Sequence, residues 1–337
     1  MTVDIEEAPS RPPGPLAGGP RARRGRRLPT GWVPYLLIAP AVVALLAVLG
    51  YALVRNLLIS FQEFGRRQLI SRTTEWTGLD NYREVLENDR FWDSLVRTFV
   101  FMAVNVVLIM VIGTLIGLLL NQLGRAMRLV LSISLVAAWA MPVTVSTTVF
   151  SWLFDTQFGV ANWVMRHLGF SGYEQHNWFG SGLSTLTIAT LLIVWGSVPF
   201  VALNLYAGLT TIGGEIYEAA RMDGANAWRI FWSIVAPIMR PFFLITSFLE
   251  IIWVFKAFVQ IYALNGGGPD RESETLPVMA YIEGMGQNQY GTGAAISVLT
   301  LVILLVAMSF YFRLILRQER EEGLPTQTAT APVRSGA

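Results

Sequence analysis

Long apolar blocks alternate with polar segments along this chain of 337 residues. Six blocks each contain about 20 or more mostly apolar residues, the length that a helix needs to cross a hydrocarbon core of roughly 30 Å. Because lipid offers the main chain no hydrogen-bond partners, each block is predicted to be a helix. We expect an all-α polytopic membrane protein with six transmembrane helices, at residues 33–54, 95–120, 129–153, 183–208, 242–264 and 293–316.

The polar ends of the chain and its arginines predict the topology. Residues 1–30 are rich in Pro, Gly and Arg, and residues 318–337 are also polar, so both are predicted to be disordered tails around a membrane domain at 31–317. Fifteen arginines fall on segments on the same side as the N-terminus, and eight fall on the opposite side. The positive-inside rule therefore predicts that both termini are cytoplasmic.

Composition narrows the class of protein. Only 14% of the residues are charged and 53% are hydrophobic, whereas a soluble domain usually carries about 25% charged residues. Cysteine is absent, and His167 and His176 lie in one polar loop without acidic neighbours at ligand spacing, so no metal site is predicted. A P-loop requires a lysine after a glycine-rich run. The single lysine, Lys256, lies in an apolar block, so the chain has no P-loop for ATP.

The inner segment 212–240 has the pattern of two short helices joined by a tight turn. Gly224 follows Asp223, and glycine permits the positive φ at which a helix ends and the chain reverses. Apolar residues recur at helical spacing after the turn, and Pro237 ends the second helix. Two interpretations are open from the pattern alone: an amphipathic hairpin on the inner leaflet, or a hairpin that a partner protein approaches closely.

The spacing of this hairpin resembles the EAA signature of permease subunits of ABC importers. Ala236 replaces the usual leucine of that signature, and Gly213 stands where a proline is common. The residues that match the signature or lie at its turn are Glu218, Ala219, Ala220, Asp223, Gly224, Ile234 and Pro237.

Two further segments extend the resemblance. Residues 76–82 resemble the G-L-x-N-Y element that precedes the second span of carbohydrate-uptake permeases. Residues 264–269 are similar to their L-T-G-G-G-P loop, with Asn265 in place of threonine. The resemblance covers about residues 33–316 and points to the MalF/UgpA-like branch, the inner-membrane components of binding-protein-dependent transport.

The resemblance implies a multi-pass protein of a bacterial plasma membrane that works as part of a complex. The expected partners are a second, homologous permease, an ABC ATPase dimer that binds ATP and Mg²⁺, an extracellular solute-binding (lipo)protein, membrane lipid and a sugar, without a cofactor in this chain and without nucleic acid. The seven hairpin residues would contact the ATPase. The outer loop that receives the substrate would contain Gly266, Gly267, Gly268 and Pro269.

Charged and polar groups inside the fifth block suggest part of a sugar path. Trp253, Lys256 and Gln260 lie at i, i+3 and i+7, along one stripe of a continuous helix. Aromatic faces suit the C–H faces of sugars, and polar side chains suit their hydroxyls. The alternative is that Trp253 packs against a neighbouring helix while the Lys256 ammonium reaches toward water. Glu250 is the only carboxylate deep within a predicted span.

Three other functions remain as alternatives to an oligosaccharide importer. An ABC importer of another solute, such as a sugar phosphate, would show the same hairpin. A secondary transporter would typically show internal repeats and several carboxylates near the midplane, and neither is evident. An enzyme is disfavoured, and no catalytic residue is predicted, because no histidine or cysteine lies in any span.

Overall fold

The computed structural model describes residues 33–322. The predicted tail 1–30 and the end of the predicted tail 318–337 lie outside the described residues. In chain order, the elements are α1 (Val33–Leu45), α2 (Tyr51–Ile59), β1 (Gln62–Glu63), α3 (Arg66–Ser71), β2 (Glu75–Trp76), α4 (Asp80–Glu87), α5 (Asp89–Gln122), α6 (Arg125–Trp139), α7 (Val143–Leu153), α8 (Val160–His167), α9 (Gly182–Leu209), α10 (Gly214–Met222), α11 (Ala227–Ile230), α12 (Ala236–Ile238), α13 (Arg240–Phe255), α14 (Val259–Asn265), α15 (Leu276–Tyr281) and α16 (Tyr290–Glu322). π-Helical turns occupy Leu46–Gly50, Phe231–Val235 and Ile282–Gly286, and a 3₁₀ turn occupies Ser171–Tyr173.

The chain divides into two units, residues 1–54 and residues 55–337. The described part of the first unit consists of three consecutive elements: helix α1, which contains Pro40, then a π-helical turn, and then the start of α2. Its side chains are almost all apolar, as expected for a helix that crosses a bilayer. The second unit contains the other elements, including a two-stranded antiparallel sheet in which Gln62 pairs with Trp76.

Five helices among the described residues are long and apolar enough to cross a membrane, and a bent pair raises the number to six if it counts as one span. The all-α membrane fold predicted from the sequence is therefore confirmed. The five are Pro34–Ile59, Asp89–Gln122, Gly182–Leu209, Arg240–Asn265 and Tyr290–Arg313. The last helix, α16, continues to Glu322, past the boundary predicted at residue 317.

The third predicted span, 129–153, is not one straight helix. It consists of α6 and α7, whose axes differ by 94°. The break falls at Met141 and Pro142, and Pro142 precedes the first residue of α7. Proline lacks an N–H and disfavours the helical conformation of the residue before it, so a helix ends there.

Helices α5 and α9 pack along each other at the centre of the second unit. Gly113 and Gly117 on α5 lie in this contact, and a Cβ atom at Gly113 would lie 2.5 Å from Cγ1 of Val201. The two glycines therefore let the main chains approach closely, as small residues do between membrane helices. Buried apolar residues of both helices, among them Ile109 and Leu205, form the main hydrophobic core.

Candidate functional site

The predicted hairpin is present, and its turn has the geometry of a Schellman cap. Helix α10 ends at Met222, and Gly224 has a φ of +76°. The Ala225 N–H donates to the Ala220 carbonyl at 3.0 Å, and the Gly224 N–H donates to the Arg221 carbonyl at 3.0 Å. This pair of hydrogen bonds satisfies two of the carbonyls that the end of a helix leaves free. Glycine fits because it takes a positive φ at little cost.

The second half of the hairpin begins at a side-chain cap and packs against the core. The Asn226 Oδ1 accepts a hydrogen bond from the Arg229 N–H at 2.9 Å, which starts α11. Ile230 and Val235 are buried in the main hydrophobic core. Ile234 is half-buried and Pro237 is exposed. This half therefore attaches the hairpin to the membrane helices.

The outer face of the hairpin is exposed and combines charged with apolar groups. Glu218, Ala219, Asp223 and Gly224 are exposed within the described part of the chain. Large apolar side chains lie on the same hairpin with high exposure: Met222 at 88%, Trp228 at 72% and Trp232 at 55%. Exposed apolar side chains gathered on one element commonly mark a contact surface.

One predicted contact residue has little exposed surface. Ala220 is buried in the chain's own hydrophobic core, and its part in the ATPase contact stays a prediction. Its carbonyl anchors the Schellman turn. Ala219, the neighbouring alanine, keeps an exposed surface.

A cavity of about 700 Å³ lies between this hairpin and the C-terminal end of α5. Asn121 and Gln122 form one wall, and Tyr217, Glu218 and Arg221 form another. The Tyr217 hydroxyl is buried without a hydrogen-bond partner among the described residues, and burial raises the pKa of this phenol. The hairpin is therefore separated from the end of α5 by this cavity.

Trp253, Lys256 and Gln260 line one cavity of about 350 Å³. An adjoining cavity of about 190 Å³ shares Trp253 and Gln260 and adds the indoles of Trp139 and Trp195. Their arrangement differs from the prediction, because the helix breaks at Lys256 and α14 starts at Val259. The three residues thus converge on a pocket across a break rather than along one helical stripe. Their role in binding stays a prediction.

Glu250 lies one turn before Trp253 and is completely buried. Neither carboxylate oxygen has a hydrogen-bond partner among the described residues, although Ser197 faces the carboxyl group from α9. Thr246 lies one turn closer to the start of α13, and its hydroxyl accepts a hydrogen bond from the Asn204 amide of α9 at 2.5 Å. Polar contacts of this kind hold membrane helices together.

The predicted outer loop follows the end of α14 and is hydrogen-bonded to the start of α9. Gly266 and Gly267 have φ values of +58° and +84°. The Asn265 amide donates to the Phe179 carbonyl at 3.0 Å and to the Thr185 hydroxyl at 3.1 Å. The Gly182 N–H, at the start of α9, donates to the Glu272 carboxylate at 2.9 Å. This loop contains all four predicted outer-loop residues, Gly266, Gly267, Gly268 and Pro269.

A partly buried ion network next to this loop was not predicted from the sequence. Arg90 donates to both carboxylate oxygens of Glu274, at 2.9 and 2.7 Å, and also to Glu283. Arg97 donates to the Glu274 carbonyl at 2.7 Å, and Arg271 to Glu283 at 3.3 Å. Burial raises the pKa of the Glu274 carboxyl, and the Arg90 guanidinium opposes that rise.

This network joins the start of α5 to the outer loop. Arg97 on α5 is half-buried and bonded to main-chain carbonyls of the loop. The two charges that pair most closely, Arg90 and Glu274, are far apart in sequence. An arginine at the first turn of a span and a glutamate after a glycine-rich loop were visible in the chain, but nothing in the sequence paired them.

The comparisons with known proteins agree on one family. Residues 109–320 match the family described as "Binding-protein-dependent transport system inner membrane component". The diacetylchitobiose uptake system permease protein DasB of Streptomyces coelicolor is 55% identical, over 96% of this chain and 100% of its own length. The trehalose/maltose transport system permease protein MalF of Thermococcus litoralis is 31% identical, over 83% of this chain and 92% of its own length.

A solved structure shares the fold. A chain of a bacterial ABC transporter involved in the import of the acidic polysaccharide alginate aligns with a TM-score of 0.73 at 15% identity. The alignment covers 86% of this chain and 96% of that one. At this identity the likeness concerns the fold alone.

Proposed function

The chain belongs to the family of binding-protein-dependent transport system inner membrane components, and from that premise we propose that it forms half of the translocation path of an ATP-driven oligosaccharide importer. The 55% identity to a diacetylchitobiose permease makes diacetylchitobiose the first substrate to test. The other half of the path is a second, homologous permease. An extracellular binding protein delivers the sugar to the loop at Gly266–Pro269.

The observation that carries this proposal is the exposed hairpin at residues 214–238. It presents Glu218 on α10 and Gly224 in the turn, and its exposed Met222 and Trp228 offer apolar surface to a partner. The chain itself has no P-loop lysine, because Lys256 lies at the end of α13 in an apolar run. ATP and Mg²⁺ are therefore bound by a separate ATPase dimer, which docks on the hairpin from the cytoplasm. Both termini lie on that same side.

Transport follows from movement of the hairpin. When ATP closes the ATPase dimer, the cleft that holds α10 moves, and the attached helices switch the path between its two orientations. Ile234 and Pro237 belong to the segment that passes the movement from the turn to α13. This chain performs no covalent chemistry in that cycle.

The test is uptake of labelled diacetylchitobiose into proteoliposomes that contain both permeases, the ATPase and the binding protein. Glu218→Lys reverses a charge on the exposed face and is expected to abolish uptake without loss of inserted protein. The matched control is Glu84→Lys, an exposed glutamate on α4, which is expected to leave uptake unchanged. Uptake that persists without the ATPase and collapses with the proton gradient contradicts the proposal.

Gly224 allows the backbone requirement to be separated from the docking requirement. A Cβ atom added there meets no atom within 4 Å, so only the positive φ opposes substitution within the chain. That conformation costs an L-residue about 1–2 kcal/mol, with Asn the best tolerated. If only the backbone conformation of the turn matters, uptake is highest for Gly224→Asn, lower for Gly224→Ala and lowest for Gly224→Val. If the ATPase needs the space next to Gly224, uptake by Gly224→Asn is lower than uptake by Gly224→Ala.

A further inference from the structure

A continuous series of aromatic rings connects the outer loop to the cavity that contains Trp253. Each ring in the series contacts the next, with centroid distances between 5.4 and 6.2 Å. In order from the outside, the series is Tyr173, Trp178, Phe154, Phe150 and Trp195. None of these five rings is completely buried, and Trp195 keeps 37% of its surface exposed.

The outer part of the series is held in a fixed orientation by a buried amide. The Trp178 Nε1–H donates to Oδ1 of Asn162 at 2.7 Å. The Asn162 amide group in turn donates to the carbonyls of Thr156, at 3.1 Å, and of His176, at 3.0 Å. Since Asn162 is only 5% exposed, its hydrogen bonds are made within the chain. The indole of Trp178 is therefore positioned before any ligand arrives.

Both ends of the series lie at sites that the proposed function uses. The residue after Trp178, Phe179, accepts a hydrogen bond from Asn265, which directly precedes the glycine-rich outer loop. At the other end, Trp195 lines the cavity together with Trp253 and Gln260. Helix α9 advances about 1.5 Å per residue, so its segment from the first turn to Trp195 spans roughly 20 Å. The rings thus cover the distance between the predicted entry and the cavity.

We propose that these five rings form a sugar-binding track along which the pyranose units of an oligosaccharide pass from the outer loop to the cavity; this inference rests on the proposed function. The C–H faces of a pyranose stack on aromatic faces, and such contacts tolerate sliding because they carry no directional hydrogen bond. The alternative role of the rings is packing alone, since Phe150, Phe154 and Trp178 also touch the hydrophobic core.

The absence of cysteine from the chain permits a direct test by thiol labelling. Phe154→Cys is placed in the chain within the complete complex, and a membrane-impermeant thiol reagent is added from outside. The track predicts that the thiol reacts during ATP turnover and that sugar-loaded binding protein lowers the reaction rate. Gln260→Cys reports on the cavity in the same way. Phe99→Cys is the control, because the Phe99 ring contacts Phe255 outside the track, and sugar is expected to leave its labelling unchanged.

A second variant covers the case in which the thiol disturbs folding. Phe154→Leu keeps an apolar side chain for packing but loses the aromatic face. A lost ring contact corresponds to about a threefold to tenfold fall in maximal uptake. The binding-protein concentration that gives half-maximal uptake is expected to stay the same, because docking of that protein is unaffected. Phe99→Leu, the matched control, is expected to keep maximal uptake.

The outcomes separate the track from the proposed function. Sugar protection at Gln260→Cys without any at Phe154→Cys, together with normal uptake by Phe154→Leu, refutes the track and leaves the importer intact. Absence of ATP-dependent uptake for every oligosaccharide tested refutes the importer, and the track falls with it. Protection at both positions supports the track.

Discussion

Replacing Arg90 by alanine removes the centre of the ion network that joins the start of α5 to the segment containing Glu274. The Arg90 guanidinium forms two hydrogen bonds with Glu274 and one with Glu283. The Glu274 side chain is completely buried, whereas that of Arg90 is 25% exposed. After the substitution, the Arg271 guanidinium remains at 3.9 Å from the Glu274 carboxylate, and the Arg97 guanidinium, which is bonded to the Glu274 carbonyl, also remains nearby. We therefore expect a buried carboxylate with poor compensation.

The size of the effect follows from this burial. Removing one partner of a buried ion pair costs about 3–5 kcal/mol. Arg271 and the Ser94 hydroxyl, at 3.4 Å, still face the carboxylate, so the lower end, about 3 kcal/mol, applies. With an unfolding entropy of about 2.1 cal/mol/K per residue, a chain of 337 residues loses about 1.4 °C per kcal/mol. The expected fall in apparent melting temperature is therefore about 4 °C. The control is Arg83→Ala, which removes an exposed pair with Glu87 and costs about 0–1 kcal/mol.

The deficit of the Arg90 variant depends on pH with a defined sign. Burial raises the pKa of Glu274, and without Arg90 that pKa rises further. A carboxyl whose pKa is higher in the folded state contributes its full stability below the unfolded pKa and loses it as the pH rises through the folded pKa. The variant is therefore expected to lose more stability at pH 8 than at pH 5. Adding Glu274→Gln to Arg90→Ala should remove this dependence on pH.

The assay is thermal unfolding of the purified protein in detergent at pH 5, 6, 7 and 8. The proteins compared are the wild type, Arg90→Ala, the control Arg83→Ala, and the double variant Arg90→Ala with Glu274→Gln. Equal melting temperatures of Arg90→Ala and Arg83→Ala at pH 8 would show that the network adds no stability. A deficit that is independent of pH would show that the lost hydrogen bonds, rather than the buried charge of Glu274, cause it.

Three further substitutions test other parts of the structure by the same unfolding assay. Gly113→Ala places a Cβ 2.5 Å from Val201 and is expected to cost about 1–3 kcal/mol. The control is Gly196→Ala, inside α9, where a Cβ meets no atom within 4 Å and no loss is expected. Equal effects would contradict close packing of α5 on α9. Tyr217→Phe removes a buried hydroxyl that has no partner among the described residues, so the free energy of unfolding should not fall; a clear loss would reveal a hydrogen bond. Asn226→Ala removes the cap of α11 and should cost about 1 kcal/mol; no change would show that the cap is redundant.

The membrane helices could be predicted from the sequence because apolar length is a local property. Their ends and bends could not. Helix α5 starts at Asp89 rather than at residue 95, since one face of its polar first turns packs against the outer loop, where Phe91, Ser94 and Thr98 are buried. The bend between α6 and α7 falls inside a block that stays apolar on both sides of Pro142. Hydropathy does not distinguish a straight span from a bent one.

The candidate site also contains features that could be predicted from the sequence and features that could not. Gly224 could be identified because one residue type is suited to a positive φ. Arg90 and Glu274 could not be paired, because their contact depends on how α5 and the outer loop fold together. Trp253 and Gln260 were grouped on the assumption of a continuous helix, and they do line one cavity. They do so because α13 ends at Phe255 and α14 resumes after the break.

The hairpin packs against α9 as well as continuing into α13. Met239, at the end of the hairpin, is buried, and a Cβ atom at Gly208 would lie 2.6 Å from its Cε. Gly208 belongs to α9, the helix that also carries Trp195 into the cavity. The start of α9 is bonded to Glu272 of the outer loop. Since α9 is bonded to the glycine-rich loop at its start and packed against Met239 near its end, the proposed displacement of the hairpin would act on α9 as well as on α13.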